Sequence, residues 1–164
     1  MLTPVIDDPF DLARFVEAQR DHYPAALDEL RAGRKTTHWM WFFFPQYDGL
    51  GTSLRARRYA IRSLDEACAY LGHAGLGARL EQFALTMLRI RDSSARQILG
   101  SPDDLKLRSS ATLFSLISPP GSVFEEVVDR YFEGERDLET LRLVEIASQQ
   151  EPTGAPGPPP ASPS

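Results

Sequence analysis

Helix-start and helix-stop residues recur from Asp8 to Gln149 at intervals too short for anything but brief helices. Asp8-Pro9 reads as an N-cap followed by proline at the first helical position, where the missing N–H costs nothing. Leu12, Phe15, Val16 and Gln19 follow at helical spacing. Pro24 opens a second helix with Leu27 and Leu30 inward and Gly33 as its stop. Ser63-Leu64-Asp65-Glu66 matches a capping box, and its helix should run to about Gly72. The stretch from Leu76 to Ile90 is the clearest amphipathic segment. A short helix at 95–99 is closed by Gly100. Ser101-Pro102-Asp103-Asp104 starts another, with acids at the positive end of the dipole. It should reach Ile117, since Pro119-Pro120 cannot continue it. Ser122 caps a helix that ends at Gly134, and Asp137 caps the last, to about Gln149. The pattern predicts an all-α fold, a compact single-domain bundle of about seven helices with short connections. At Trp39–Phe44 the aromatic density would equally suit a buried strand.

The chain has 164 residues, enough for one domain with a sizeable core. Its single cysteine excludes an internal disulfide framework. The longest apolar run, Trp39–Pro45, is far short of the roughly 20 residues of a membrane span. Met1-Leu2-Thr3-Pro4 carries no signal pattern. A soluble, cytoplasmic protein is expected. Residues 152–164 hold six of the thirteen prolines and no charge, so we expect a globular domain over 1–151 and a disordered tail. The tail would be either a ligand for a proline-binding module or a dispensable extension.

The net charge of -5 conceals an uneven spread. Residues 31–62 carry seven cations against one acid, Asp48, a local +6; the remainder carries 11 bases and 22 acids, or -11. Residues 125–151 alone hold nine acids against three bases. The acidic total argues against nucleic acid as a partner of the whole surface, while the basic third suits an anion site or an acidic partner.

Two constellations carry the candidate chemistry. The first is Gly33-Arg34-Lys35-Thr36-Thr37-His38-Trp39-Met40-Trp41, continued by Phe42, Phe43, Phe44, Pro45 and Gln46. An indole can stack on a planar ligand while a neighbouring cation holds its phosphate. The three phenylalanines suit the core better than a site. His38 is a candidate proton donor or acceptor, because imidazole titrates near neutrality. The second constellation runs from Pro102 to Phe114. On a helix Asp104 can pair with Arg108, and Asp103 or Ser110 with Lys106. Ser109, Ser110 and Thr112 are poor mid-helix surface residues; their hydroxyls suit a polar cavity or bonds back to the helix. Arginine outnumbers lysine 16 to 2, yet the two lysines, Lys35 and Lys106, fall one in each constellation. His22, His38 and His73 are not spaced as ligand pairs, so no metal is expected, and no phosphate-binding glycine loop implies a cofactor.

These stretches resemble a family. Gly33-Arg34-Lys35 with His38-Trp39-Met40-Trp41 and Phe44-Pro45-Gln46 carry the likeness. So do Arg58-Tyr59-Ala60-Ile61 with Ser63-Leu64-Asp65-Glu66-Ala67, then Pro102-Asp103-Asp104 with Lys106-Leu107, Ser109-Ser110 and Thr112-Leu113-Phe114. Tyr131-Phe132, Gly134, Asp137 and Thr140-Leu141 complete it. The chain is similar over about 8–145 to the bacterial domain-of-unknown-function family eighteen-ten. The resemblance implies a small, mostly helical fold and no established activity. The label calpastatin sometimes attached to that family fails on physical grounds, since calpain inhibitors of that name are long, polar and disordered. The polar set is also similar in kind, though not in aligned motifs, to small helical glycosidases acting on ADP-ribose-like or riboflavin-precursor compounds.

The expectation is therefore a pocket between the 34–46 segment and the 102–112 helix, for an anionic planar ligand such as a nucleotide or ADP-ribose derivative, in a hydrolase or N-glycosidase-like protein. Lys35, Arg34 and Arg58, with Lys106, would hold negative charge; Trp39 or Trp41 would stack; Gln46, Ser109 and Ser110 would orient. Asp104 or Asp103 would serve as acid–base group, with His38 in reserve. The rival is a non-catalytic interaction protein whose basic segment binds an acidic partner or another subunit.

Overall fold

A computed structural model of the chain describes residues 7–150. The expected tail over 152–164 and the reading of Met1–Pro4 lie outside the described residues. The described part folds into ten helices: α1 Ala13–Arg20, α2 Tyr23–Arg31, α3 Met40–Phe43, α4 Leu54–Arg58, α5 Leu64–Gly72, α6 Ala74–Arg89, α7 Ala95–Leu99, α8 Asp103–Leu116, α9 Val123–Phe132 and α10 Leu138–Gln150. The all-α expectation holds, with ten helices instead of about seven. The excess comes largely from α3 and α4, single turns too short to leave a periodic signal. Trp39–Phe44 is thus a helical turn and not a strand. The nearest thing to a sheet among the described residues is one parallel bridge, Tyr47 to Ile61. There Ile61 N–H donates to the Gln46 carbonyl and Asp48 N–H to the Ile61 carbonyl, both at 2.8 Å.

Two start signals act differently from their sequence reading. Helix α1 begins at Ala13, a turn later than Asp8-Pro9 implies. The Asp8 carboxylate still serves the helix end, accepting from Leu12 N–H at 2.8 Å and Ala13 N–H at 3.0 Å. These amide bonds lower its pKa. At α5, Ser63 caps as expected, accepting from Glu66 N–H at 3.0 Å. The Glu66 side chain does not close the box; it meets the Arg14 guanidinium at 2.7 Å in a buried ion pair. Arg14 also donates to the Arg58 and Ala60 carbonyls, so one side chain joins α1, the end of α4 and α5. A reciprocal capping box does form at α7, between Ser94 and Gln97.

The core gathers around α6. Phe83 stacks on Phe43 at 4.4 Å between ring centroids, meets Trp39 edge-on at 5.7 Å and faces Tyr23 and Phe44 at 6.1 Å. Glycine is required where α6 crosses the end of α5: a Cβ on Gly77 would stand 1.9 Å from the Leu71 carbonyl oxygen. Among the described residues no helix is long and apolar enough to cross a membrane.

Candidate functional site

The turn of α3 separates two indoles that are adjacent in the pattern. Trp39 points inward and is fully buried, its Nε1–H donating to Glu29 at 3.2 Å. Trp41 is half-buried and forms one wall of a cleft of about 390 Å³. The opposite wall is α8 and its N-cap, through Pro102, Leu105, Lys106 and Ser109; Gln46, the 50–53 loop and Asp137 complete the lining. The parallel bridge to Ile61 positions Gln46. The cleft therefore joins the two constellations.

Its electrostatics centre on one carboxylate. Asp103 Oδ2 meets Lys35 Nζ at 2.8 Å and Asp103 Oδ1 meets Lys106 Nζ at 3.2 Å. Both lysines of the chain are thus held by a single aspartate. The Lys35 side chain is only 6% exposed and lies 5.3 Å from the Trp39 ring centroid. Lys106 continues outward to the Trp41 ring at 4.7 Å, which Arg55 of α4 also approaches, at 5.5 Å. Lys106 and Arg55 are therefore two cations resting on one indole at the cleft wall.

The hydroxyl run of α8 explains how Asp137 is held. The single Ser109 Oγ–H is shared between two acceptors, Asp137 Oδ2 at 2.9 Å and the Leu105 carbonyl at 3.1 Å. Thr112 Oγ1 accepts from Asp137 N–H at 2.9 Å. Asp137 Oδ2 accepts further bonds from Thr140, so this cap of α10 is pinned to α8 and faces the cleft. The expected Asp104–Arg108 pair does not form: Arg108 turns toward Asp137 Oδ1, at 4.0 Å, because α10 offers a carboxylate there. Asp104 Oδ1, Arg108 Nε and Ser110 Oγ are buried atoms without a hydrogen-bond partner, so the alternative Ser110–Lys106 bond is also absent.

Of the anticipated site residues, Trp41, Gln46, Lys106 and Ser109 line the cleft. Asp103 and Lys35 stand behind them through ion pairs. Trp39 lies in the core, and Arg34 and His38 are exposed outside the cleft lining. Arg58 borders a different hollow, with Arg14, Arg62 and Glu66. Asp104 and Ser110 are not among the lining residues. Sequence reasoning missed Asp137 as a cleft residue. Asp137 was legible as a cap, and the unusual Ser109 and Thr112 were the sign that something polar faces α8. Among the described residues no group of three His, Cys, Asp or Glu side chains is placed to hold a metal ion.

A family model described as "Protein of unknown function (DUF1810)" matches residues 9–144. The chain belongs to the DUF1810 family. The crystal structure of the conserved hypothetical protein Rv1873 from Mycobacterium tuberculosis is similar, at 48% identity and a TM-score of 0.82. The match covers 84% of this chain and 99% of that one. No curated protein matches. The DUF1810 match takes in every cleft residue named above, from Trp41 to Asp137.

Proposed function

We propose that the cleft between α3 and α8 binds an anionic planar ligand of the nucleotide or ADP-ribose class, as part of a hydrolase or N-glycosidase-like activity. The observation that carries this reading is the half-buried Trp41 with two cations resting against its ring. A ligand ring that stacks on the indole displaces a cation held there by about 0.5–1 kcal/mol, and that cation is then free to meet the ligand's phosphate. Gln46, Ser109 and Asp137 supply amide, hydroxyl and carboxylate groups along the same cleft for ring edges and sugar hydroxyls. Asp103 positions Lys106, and Lys35 positions Asp103. In a hydrolytic reaction Asp103 is the acid–base candidate paired with Lys106, and Asp137 is the carboxylate that faces the ligand. Cys68 is exposed and unpaired, which suits the reducing cytoplasm.

Thermal unfolding in the presence of AMP and ADP-ribose tests this. Binding to the native state raises the melting temperature by mass action. Lys106→Ala and Trp41→Phe should each weaken binding about tenfold while leaving the unliganded melting temperature within a few degrees of wild type. No shift of the wild-type protein at millimolar ligand would overturn the assignment.

A further inference from the structure

Four large hydrophobic side chains are prominently exposed among the described residues, and three of them line this one cleft or adjoin a residue that does. Leu105, 49% exposed, lines it; Leu54, 86% exposed, follows the lining Ser53; Leu138, 77% exposed, follows the lining Asp137. Single exposed leucines need no explanation, but a cluster around a hollow marks a surface that something covers.

The charges around that cluster identify the cover. On one side α4 presents Arg55 and Arg57, both exposed and in no ion pair among the described residues, while Arg58 borders the separate hollow; no residue of this helix is buried. On the other side residues 133–139, leading into α10, carry Glu133, Glu135, Asp137 and Glu139 against Arg136; Arg108 approaches Asp137 and Arg142 pairs with Glu139, which leaves Glu133 and Glu135 as exposed acids in no ion pair among the described residues. A nucleic acid or an anionic membrane drawn to α4 would be repelled at the α10 edge, and a flat bilayer would not enter the hollow. A face with a basic edge, an apolar middle and an acidic edge is complementary to itself under a two-fold rotation. The basic edge of one copy meets the acidic edge of the other, and the reverse contact follows by symmetry.

We infer that the mouth of the cleft is the interface of a two-fold homodimer, with α4 of each copy against the start of α10 of the other and Leu54, Leu105 and Leu138 at its centre. The dimer closes the open side of the cleft, so Trp41 lies under the partner and not under bulk water. The inference does not depend on the ligand reading. Its test contains no ligand, so either can fail without the other.

Sedimentation velocity of the full chain over a rising concentration series reads the dimer directly, and added salt should weaken it. Two charge-reversed proteins make the test specific: R55E/R57E has two acidic edges, and E135R/E139R has two basic ones. Each alone should sediment as a monomer with an unchanged far-ultraviolet spectrum. An equimolar mixture should recover the dimer, because both edge contacts are again of opposite sign. Leu54→Ser should weaken the wild-type dimer without altering its response to salt. A wild-type protein that stays monomeric would overturn the inference. So would a dimer that survives either charge reversal, or a mixture that fails to recover it.

Discussion

The carboxylate of Glu29, near the end of α2, organises the loop that leads to the indoles. It accepts from Thr36 N–H at 2.6 Å, Thr37 N–H at 2.8 Å, Thr37 Oγ1–H at 2.6 Å and Trp39 Nε1–H at 3.2 Å. Partial burial pushes its pKa up, but the bonds from Thr37, Thr36 and Trp39 outweigh that and hold it at about 2, against an ordinary 4.5. A carboxyl whose folded pKa is depressed stabilises the fold fully above its unfolded value and loses that contribution as pH falls through the folded one. Glu29→Ala should therefore cost about 2 kcal/mol near neutral pH. In denaturant melts that deficit should shrink as pH falls from 4.5 toward 2, the range set by the two pKa values. None of this is visible in the sequence, where Glu29 is one more surface acid on a helix. Lys35 changes meaning in the same way. As a solvated cation its loss would be silent for stability; buried against Asp103 and Trp39, it is part of the scaffold that aims Lys106.

At the scale of elements, caps and stops were legible because they act within a few residues. Ser63, Ser122, Pro24 and Asp137 begin helices where their types predict. Those signals fail where a side chain finds a better partner across space. Glu66 abandons its own capping box for Arg14, and Arg108 leaves Asp104 for Asp137. The α5–α6 junction is a further case, since the glycine-rich run Gly72-His73-Ala74-Gly75-Leu76-Gly77 suits a helix–helix connection without showing which of its glycines is required. The structure assigns its glycines different duties. Gly77→Ala would drive a methyl into the Leu71 carbonyl and should cost about 1–3 kcal/mol. Gly72→Ala meets nothing within 4 Å and should be neutral or slightly stabilising. Thermal melts of the two variants side by side measure the difference; equal loss in both would remove the close-approach argument.

At the scale of the whole molecule, Phe83 joins α6 to α2 and α3 through Tyr23, Trp39, Phe43 and Phe44. Phe83→Ala should cost about 3–5 kcal/mol, much of the roughly 5–15 kcal/mol that holds a domain of this size. Chemical denaturation would read this as a large fall in midpoint at unchanged slope. The same packing decides which indole is available for chemistry. The sequence by itself determined the helical class, most helix boundaries and the two polar stretches, because propensity, capping and periodicity are local properties of neighbouring residues. It also determined that positive charge collects at 31–62. Only the tertiary structure decided that Trp39 is core and Trp41 is cleft wall, that one aspartate holds both lysines, that Asp137 lines the same cleft and that Arg55 reaches the Trp41 ring. Those facts depend on the direction of a four-residue helix and on the docking of α4 and α10 beside α8. Contacts between residues tens of positions apart leave no periodic trace in the chain.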